Sequence, residues 1–333
     1  MKKLVALLMT IGLIGAIGSP AEARTHALAC GDVVTSDVRL QRSLTGCTTG
    51  LVIGAPGVTV DLNGHAIEGV GRDAAGSGIE AAGVSGVTVK NGRISGFATG
   101  VLLSGVTASR VAALTIEDTG SGIRVFDPEL TPATRNVIAA NRISRSRNGI
   151  TAFGSMIVTG NTVRDISADG APWSETSPVG TGIYCRASAG SSTLVMANSV
   201  ERAEHVGIDF FFCWGDIVGN ESSENGLWGL HRESSNGLMA LNRVTRNAAG
   251  GILSSDSHGL FAANVANANG GDGIRVHDQF ADHGAFHTLT ANVANANAGF
   301  GIATTLSGVV DGGGNRARGN GEAAQCLGIS CNR

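Results

Sequence analysis

Apolar residues recur along this chain immediately after a glycine, at a nearly constant spacing. Successive members are 22 residues apart in five of nine intervals and further apart in the other four. Such a repeat indicates a unit that cannot bury its apolar face alone and stacks on its neighbours. The members of this first column are Ile79, Val101, Ile123, Ile150, Ile183, Ile208, Leu230, Ile252, Ile274 and Ile302.

Asparagine marks the same period. The positions from Asn198 to Asn264 are spaced by 22, and an apolar residue precedes each by three positions. We expect short strands with tight corners, asparagines at left-handed corners, and side-chain amides bonded to the asparagine one coil away. The first set is Asn141, Asn161, Asn198, Asn220, Asn242, Asn264, Asn292 and Asn315, and the second is Asn225, Asn247, Asn269, Asn297 and Asn320.

Other repeat architectures fit less well. The leucine-rich signature is missing, and the abundance of glycine, 50 of 333 residues, disfavours helical repeats. The pattern over residues 51–320 resembles the right-handed parallel β-helix repeat proteins, the fold of pectate lyases and of several alginate-modifying enzymes. GVTVDLNGHAIEG at 57–69 is similar to their first coil, and residues 312–331 are similar to their ending. The resemblance implies an all-β, single right-handed parallel β-helix (the pectin lyase fold) of about ten or eleven coils.

The chain ends predict the domain organisation. Lys2 and Lys3, an apolar run over 4–17 and a small-residue site at 21–23 predict a secretory signal peptide over 1–23. A cap segment over 24–50, the β-helix over 51–320 and a tail over 321–333 follow. The alternative, a lipoprotein anchored at Cys30, fits the order of residues poorly. We therefore expect a secreted or periplasmic monomer that is not held in a membrane after cleavage.

Charge and cysteine content narrow the partners. The net charge is −3 and the sequence contains no basic stripe, so we expect no nucleic-acid partner. Six cysteines in an exported chain indicate disulfides. The simplest of 15 possible pairings joins Cys30 to Cys47, Cys185 to Cys213 and Cys326 to Cys331. No CxxC or Cys/His spacing supports the rival interpretation, a metal site.

Candidate chemistry follows from strand alternation, which places the second and fourth residues after each glycine outside the core. The residues two positions after each glycine form the outer column, and those four positions after it form the second outer column. The outer column contains Tyr184, Asp209 and His231 on three neighbouring coils. We expect these three residues to face solvent and to be catalytic, together with Glu233 of the second outer column. The residues expected to bind substrate around this set are Arg186, Arg275, His277, Trp173 and Trp214.

Long insertions point to the same face. In plain coils 9 residues separate the asparagine from the next glycine, whereas Asn161 and Gly182 are 21 residues apart. Further loops are predicted around 127–133 and 278–287. Loops on a regular scaffold commonly carry function. We expect them to wall an open groove with some aromatic lining, suited to an extended polysaccharide.

Three chemistries use these residues. Elimination or epimerisation of a uronate would need a base, Tyr184 or His231, with Asp209 orienting His231 and arginines on the carboxylate. Glycoside hydrolysis would pair Asp209 with Glu233. The third is a metal held by HDQFADHGAFH at 277–287, with His277, Asp278, Asp282, His283 and His287. The spacing of these residues matches no strong metal-binding signature, so we predict no cofactor. No sequence motif supports Ca²⁺ binding.

Family motifs leave the activity open. FDPEL at 126–130 resembles the DPHE segment of alginate epimerases but lacks its histidine, and no pectate lyase or pectin hydrolase motif is intact. Two classes of function therefore stand: an enzyme acting on an acidic polysaccharide, and a non-catalytic extracellular or envelope β-helix that binds a glycan or another surface.

Overall fold

The structure, a computed structural model, describes residues 27–126, 135–174, 176–187, 192–277 and 287–332. The predicted signal peptide lies outside them, and the loops predicted at 127–133 and 278–287 do so almost entirely. The strands in chain order are β1 (Val33–Val34), β2 (Val38–Arg39), β3 (Leu44–Cys47), β4 (Leu51–Ile53), β5 (Thr59–Asp61), β6 (Ala66–Gly69), β7 (Ser77–Ala82), β8 (Thr88–Ser95), β9 (Thr99–Ser104), β10 (Arg110–Glu117), β11 (Ser121–Phe126), β12 (Asn136–Ala139), β13 (Arg142–Ser144), β14 (Asn148–Phe153), β15 (Met156–Thr159), β16 (Thr162–Ile166), β17 (Ile183–Arg186), β18 (Thr193–Met196), β19 (Ser199–Ala203), β20 (Ile208–Phe211), β21 (Gly215–Val218), β22 (Glu221–Ser223), β23 (Trp228–Glu233), β24 (Asn236–Ala240), β25 (Arg243–Thr245), β26 (Gly250–Ser255), β27 (His258–Ala262), β28 (Val265–Asn267), β29 (Ile274–His277), β30 (His287–Thr290), β31 (Val293–Asn295), β32 (Ile302–Thr304), β33 (Val309–Asp311), β34 (Arg316–Arg318) and β35 (Cys326–Leu327).

The strands wind into a stack of coils in which each strand pairs in parallel with its counterpart one coil away. One wall, here called the front sheet, has the order β1-β4-β7-β9-β11-β14-β17-β20-β23-β26-β29-β32-β35. The remaining strands stack in the same way, as in β21 on β24 and β22 on β25, and form the other walls. The predicted parallel β-helix is therefore confirmed.

The stack is longer than the predicted ten or eleven coils. The front sheet has 13 strands within the described residues, and the additional ones are β1, β4 and β35 at the two ends. Val33, in the predicted cap segment, pairs with Val52, and Cys326, in the predicted tail, pairs with Ile302. Strands of two or three residues carry too short a pattern to be found by periodicity. The cap, helix and tail boundaries themselves stay predictions.

The first column forms one buried ridge inside the front sheet, as predicted. Ile208 pairs with Leu230, and Leu230 with Ile252. The glycine before each member is required because the interior is too tight for a side chain. At Gly207 an added Cβ would lie 2.5 Å from the carbonyl oxygen of Gly229. The apolar residues before the asparagines stack equally, and all are buried: Ile138, Val158, Val195, Ile217, Met239, Phe261 and Leu289.

The asparagines form two continuous ladders inside the helix. The Nδ2 of Asn220 donates to Oδ1 of Asn242 at 3.1 Å, and Nδ2 of Asn242 donates to Oδ1 of Asn264 at 2.9 Å. The second ladder repeats this from Asn225 to Asn320. The amide bonding between coils is thus confirmed.

The predicted backbone conformation of these asparagines is wrong. The left-handed residue is the one before each asparagine, such as Leu241 at φ 58° and Ala263 at φ 53°. This arrangement turns the chain at the preceding residue and leaves Asn242 facing inward, where it is 1% exposed and its amide is used for the ladder.

Three disulfides join the predicted pairs. Cys30–Cys47, Cys185–Cys213 and Cys326–Cys331 have Cα–Cα distances of 5.3, 5.7 and 6.2 Å. The first and third fasten the two ends of the stack, and the second joins β17 to the corner after β20. No helix that is long and apolar enough to cross a membrane occurs in the described part of the chain.

Candidate functional site

The outer column brings the predicted catalytic residues together on the front sheet. Tyr184 on β17 pairs in register with Asp209 on β20, and Asp209 pairs with His231 on β23. The column continues through Leu253 to Arg275. Because each coil advances by one strand spacing, about 4.8 Å, residues far apart in sequence form a straight line along the stack.

The central part of this column does not face solvent, contrary to prediction. Tyr184, Asp209 and His231 are 1%, 0% and 2% exposed. Alternation correctly directs them away from the interior, but the insertion after Asn161 contacts His231. The ring of Trp173 contacts the imidazole of His231 edge-on, with 5.7 Å between centroids. The expected open groove is therefore covered at these coils.

His231 lies between two carboxylates. Its Nδ1 is 2.9 Å from Oδ1 of Asp209, and its Nε2 is 3.6 Å from Oε2 of Glu233. Glu233 belongs to the second outer column of the same strand and is 8% exposed. Within the described residues, Oδ2 of Asp209 has no hydrogen-bond partner. A carboxylate on Nδ1 fixes the orientation of the imidazole and directs Nε2 outward.

Tyr184 adjoins this group on the Asp209 side. Burial, reinforced by the negative charge of Asp209, raises the pKa of the Tyr184 phenol, and Arg186 opposes that rise only in part. A phenol with a raised pKa is a weaker acid, so Tyr184 stays protonated at neutral pH and gives up its proton only to a strongly basic atom. Arg186 itself is half-buried and stacks over the ring of Phe211, with its guanidinium carbon 5.6 Å from the centroid.

The other predicted binding residues are spread out. Arg275 is exposed two coils beyond His231, and its Nη1 is 3.4 Å from Oδ2 of Asp272. His277 is half-buried, with Nε2 3.3 Å from Oγ of Ser255. Trp214 lies half-buried at the corner after β20, off the outer column. The structure thus groups Tyr184, Arg186, Asp209, His231, Glu233 and Trp173, and leaves Arg275, His277 and Trp214 apart from them.

Comparison with known proteins agrees with this architecture. The family described as "Right handed beta helix region" matches residues 31–185 and 181–332. The chain belongs to the right-handed β-helix family. No curated protein matches this β-helix protein.

Solved structures similar to the β-helix protein share its fold. A mutant of the periplasmic alginate epimerase AlgG has a TM-score of 0.60 at 12% identity, covering 89% of this chain and 76% of that one. The Dettilon tailspike protein has a TM-score of 0.56 at 14% identity, covering 88% of this chain. The β-helix protein spans 62% of the tailspike's length. At these identities the likeness concerns the fold.

The structure describes only the two ends of the candidate metal-binding segment, His277 and His287. His287, expected in that loop, is on β30 and points into the β-helix, where it is 0% exposed and its ring is 5.5 Å from that of Phe261. Burial, with smaller contributions from Arg232 and His258, lowers the pKa of His287 to about 4. Asp278, Asp282 and His283 lie outside the described residues. No group of three or more metal-ligating side chains is found among the residues described.

Sequence reasoning missed a fully buried arginine. Arg232 follows His231 and points into the β-helix, where Nη1 donates to the carbonyl of Gly237 at 2.7 Å and Nη2 to that of Gly215 at 3.0 Å. Burial lowers its pKa to about 10. The signal was present in the sequence: Gly215, Gly237 and Gly259 are spaced by 22 and leave room for the side chain.

Proposed function

We propose that this β-helix protein binds an extended acidic polysaccharide along the front sheet and modifies it by proton abstraction beside a uronate carboxylate, with elimination as the first candidate reaction. The observation that carries the proposal is the line of Tyr184, Asp209 and His231, with Glu233 beside it, on the outer face of the sheet.

Burying these four side chains has an energetic cost, which a functional role would explain. Burying carboxylates and an imidazole outside the apolar core loses hydration that hydrogen bonds recover only in part. Apolar residues such as Leu253 occupy the same column elsewhere at no such cost. Titratable groups arranged in this way cluster at functional sites.

The residues divide into complementary roles. His231 acts as the base through Nε2, since Asp209 holds Nδ1 and orients the ring. Tyr184 acts as the proton donor, because the oxygen that leaves the glycosidic bond is a strongly basic alkoxide, which a protonated phenol can protonate. Arg186 neutralises the uronate carboxylate and so stabilises the carbanion that forms beside it. This refines the sequence-based hypothesis, in which either Tyr184 or His231 could be the base.

The proposed elimination transfers one proton to His231 and one proton from Tyr184. His231 removes the proton from the carbon beside the carboxylate, a carbon–carbon double bond forms, and the glycosidic carbon–oxygen bond breaks. Tyr184 protonates the departing oxygen. Hydrolysis by an Asp209–Glu233 pair is less favoured, because the imidazole of His231 lies between the two carboxylates instead of substrate and water.

The fold and the disulfides support the proposed substrate class and location. AlgG, similar in fold, is by its name an alginate epimerase, and alginate is an acidic polysaccharide. Three disulfides fit an oxidising compartment, secreted or periplasmic. We propose that the protein acts as a monomer, without a cofactor and without a nucleic-acid partner.

The test is a panel of polyuronates, including alginate and pectate, and neutral glycans. We expect ultraviolet-absorbing unsaturated product from a polyuronate. Tyr184→Phe and His231→Gln should each lower kcat by about 100-fold or more. Thr151→Val is the matched control, because this hydroxyl in the same column has no hydrogen-bond partner within the described residues. Unchanged rates in both variants would reject the assigned roles.

A non-catalytic glycan-binding role is the second candidate, and the coverage of His231 by Trp173 favours it. In that case the Asp209–His231–Glu233 group would hold the insertion in place. The same panel separates the two: binding of a polyuronate without unsaturated product, new reducing ends or inverted sugars would establish the second candidate.

A further inference from the structure

A small pocket opens on the front sheet two coils beyond His231. Its volume is about 90 Å³, and its lining includes Arg275, His277, Asp272 and Phe300. It is separate from the covered group, because Arg275 pairs with Leu253 and Leu253 with His231 along the outer column. The pocket therefore lies in line with the proposed reaction site but outside it.

The pocket is large enough for a small charged group. About 10–15 Å³ of such a cavity holds one water molecule, so the pocket has room for several of them. A carboxylate group can therefore enter it from a sugar that lies on the surface.

Its chemistry selects the same group. The Arg275 side chain is 53% exposed, and Oδ2 of Asp272 holds it at 3.4 Å, longer than a strong charge-assisted bond. Asp272 is fixed in turn, because its Oδ1 accepts the backbone N–H of Phe300 at 2.7 Å. The guanidinium is thus positioned by one partner while its planar fork remains suited to a carboxylate.

We propose that this pocket is a distal subsite that binds the carboxylate of a second uronate in the same polysaccharide chain. This inference rests on the proposed function. Asp209 lies midway between the base and the proton donor, and Arg275 is three coils further along. Three coils span about 14 Å. A pyranose in an extended chain is about as long as one coil, so the anchored sugar is three units from the reacting one.

The consequence is a dependence on chain length. A pentasaccharide spans the broken bond, the reacting sugar and the anchored sugar, whereas a trisaccharide does not reach the pocket. Charge-assisted bonds of the strength expected between arginine and a carboxylate correspond to about a 10- to 100-fold gain in kcat/KM for the longer substrate.

The experiment compares uronate trisaccharide and hexasaccharide with the wild type, Arg275→Gln and Arg124→Gln. Arg124 is the matched control, since it is an exposed arginine in the same column, three coils from Asp209 on the other side, and stacks over Phe126. We expect Arg275→Gln to abolish the hexasaccharide's advantage, so that the two substrates are turned over with the same kcat/KM, and Arg124→Gln to preserve that advantage. Equal losses in both variants would overturn the subsite, because general charge would then explain the effect.

Direct binding keeps this result distinct from failure of the proposed function. Calorimetric titration of His231→Gln with the hexasaccharide should show binding that weakens about 10- to 100-fold when Arg275→Gln is added. Arg275-dependent binding without turnover by the wild type would reject the chemistry and retain the subsite. Turnover whose length dependence survives Arg275→Gln would reject the subsite and retain the chemistry, and absence of both binding and turnover would overturn both.

Discussion

Removal of one amide from the middle of the first ladder should destabilise the whole stack. Asn242 is 1% exposed, and its side chain takes part in four hydrogen bonds. Nδ2 donates to Asn264 at 2.9 Å and to the carbonyl of Ile217 at 2.8 Å. Oδ1 accepts the backbone N–H and the Nδ2 of Asn220 at 3.0 and 3.1 Å. In Asn242→Ala all four are lost.

The magnitude follows from which groups are left without partners. Nδ2 of Asn220 still donates to two backbone carbonyls, and Asn264 still accepts the backbone N–H of residue 242. The backbone N–H of Asn220 is left buried and unpaired, which costs about 1–3 kcal/mol. With about 1 kcal/mol for each of the other three bonds, we expect the free energy of unfolding to fall by about 4–6 kcal/mol.

The measurement is urea unfolding followed by far-ultraviolet circular dichroism. The midpoint should fall while the m-value is unchanged, since a repeat protein that unfolds as one unit exposes the same surface. Asn267→Ala is the matched control: its Oδ1 accepts one part-buried backbone bond from Asn295, so we expect a loss below about 1 kcal/mol. Similar losses for both variants would refute the special role of the ladder. A lower m-value would show instead that the coils unfold separately.

Three further perturbations test other features. The pKa of His287 is lowered to about 4 in the folded state, so the unfolded state binds more protons between about pH 6.5 and 4. The free energy of unfolding therefore falls as the pH falls through that window, by about 3 kcal/mol in total. His287→Leu should flatten this part of a curve of stability against pH. Replacing Cys185 and Cys213 together by Ala opens a 28-residue loop and should cost about 3–4 kcal/mol in chemical unfolding, whereas no loss would show that the bond adds nothing. Trp173→Ala should expose His231 and speed its modification by diethyl pyrocarbonate, with an unchanged rate ruling out the covering role of the indole.

Periodic features of the fold were predictable because each coil repeats the same constraint. Ile208, Leu230 and Ile252 must stack for any of them to be buried, so the 22-residue spacing alone defines the register. The same reasoning placed Tyr184, Asp209 and His231 in one line, since side chains on either face of a strand alternate strictly.

Non-periodic features were beyond this reasoning. The insertion that includes Trp173 occurs once, so nothing in the sequence indicated whether it would wall the site or cover it. Arg232 occupies a position where neighbouring coils have Phe210 and Ser254, and a charged residue there contradicts the pattern. The Arg232 side chain fits inside the β-helix because three other strands have glycines beside it. The 22-residue spacing of those glycines predicts this only when the volume that they leave in the interior is considered as well.

The asparagine ladders also give the stack a direction. Along the first ladder, from Asn141 to Asn292, each Oδ1 accepts from the preceding asparagine where one is present, and one N–H of each Nδ2 donates to the asparagine of the next coil. The same Nδ2 also donates to a backbone carbonyl of the preceding coil, as Asn242 does to Ile217. A transplanted coil would therefore have to supply an asparagine that connects to both neighbouring coils in this order, as well as match the 22-residue register.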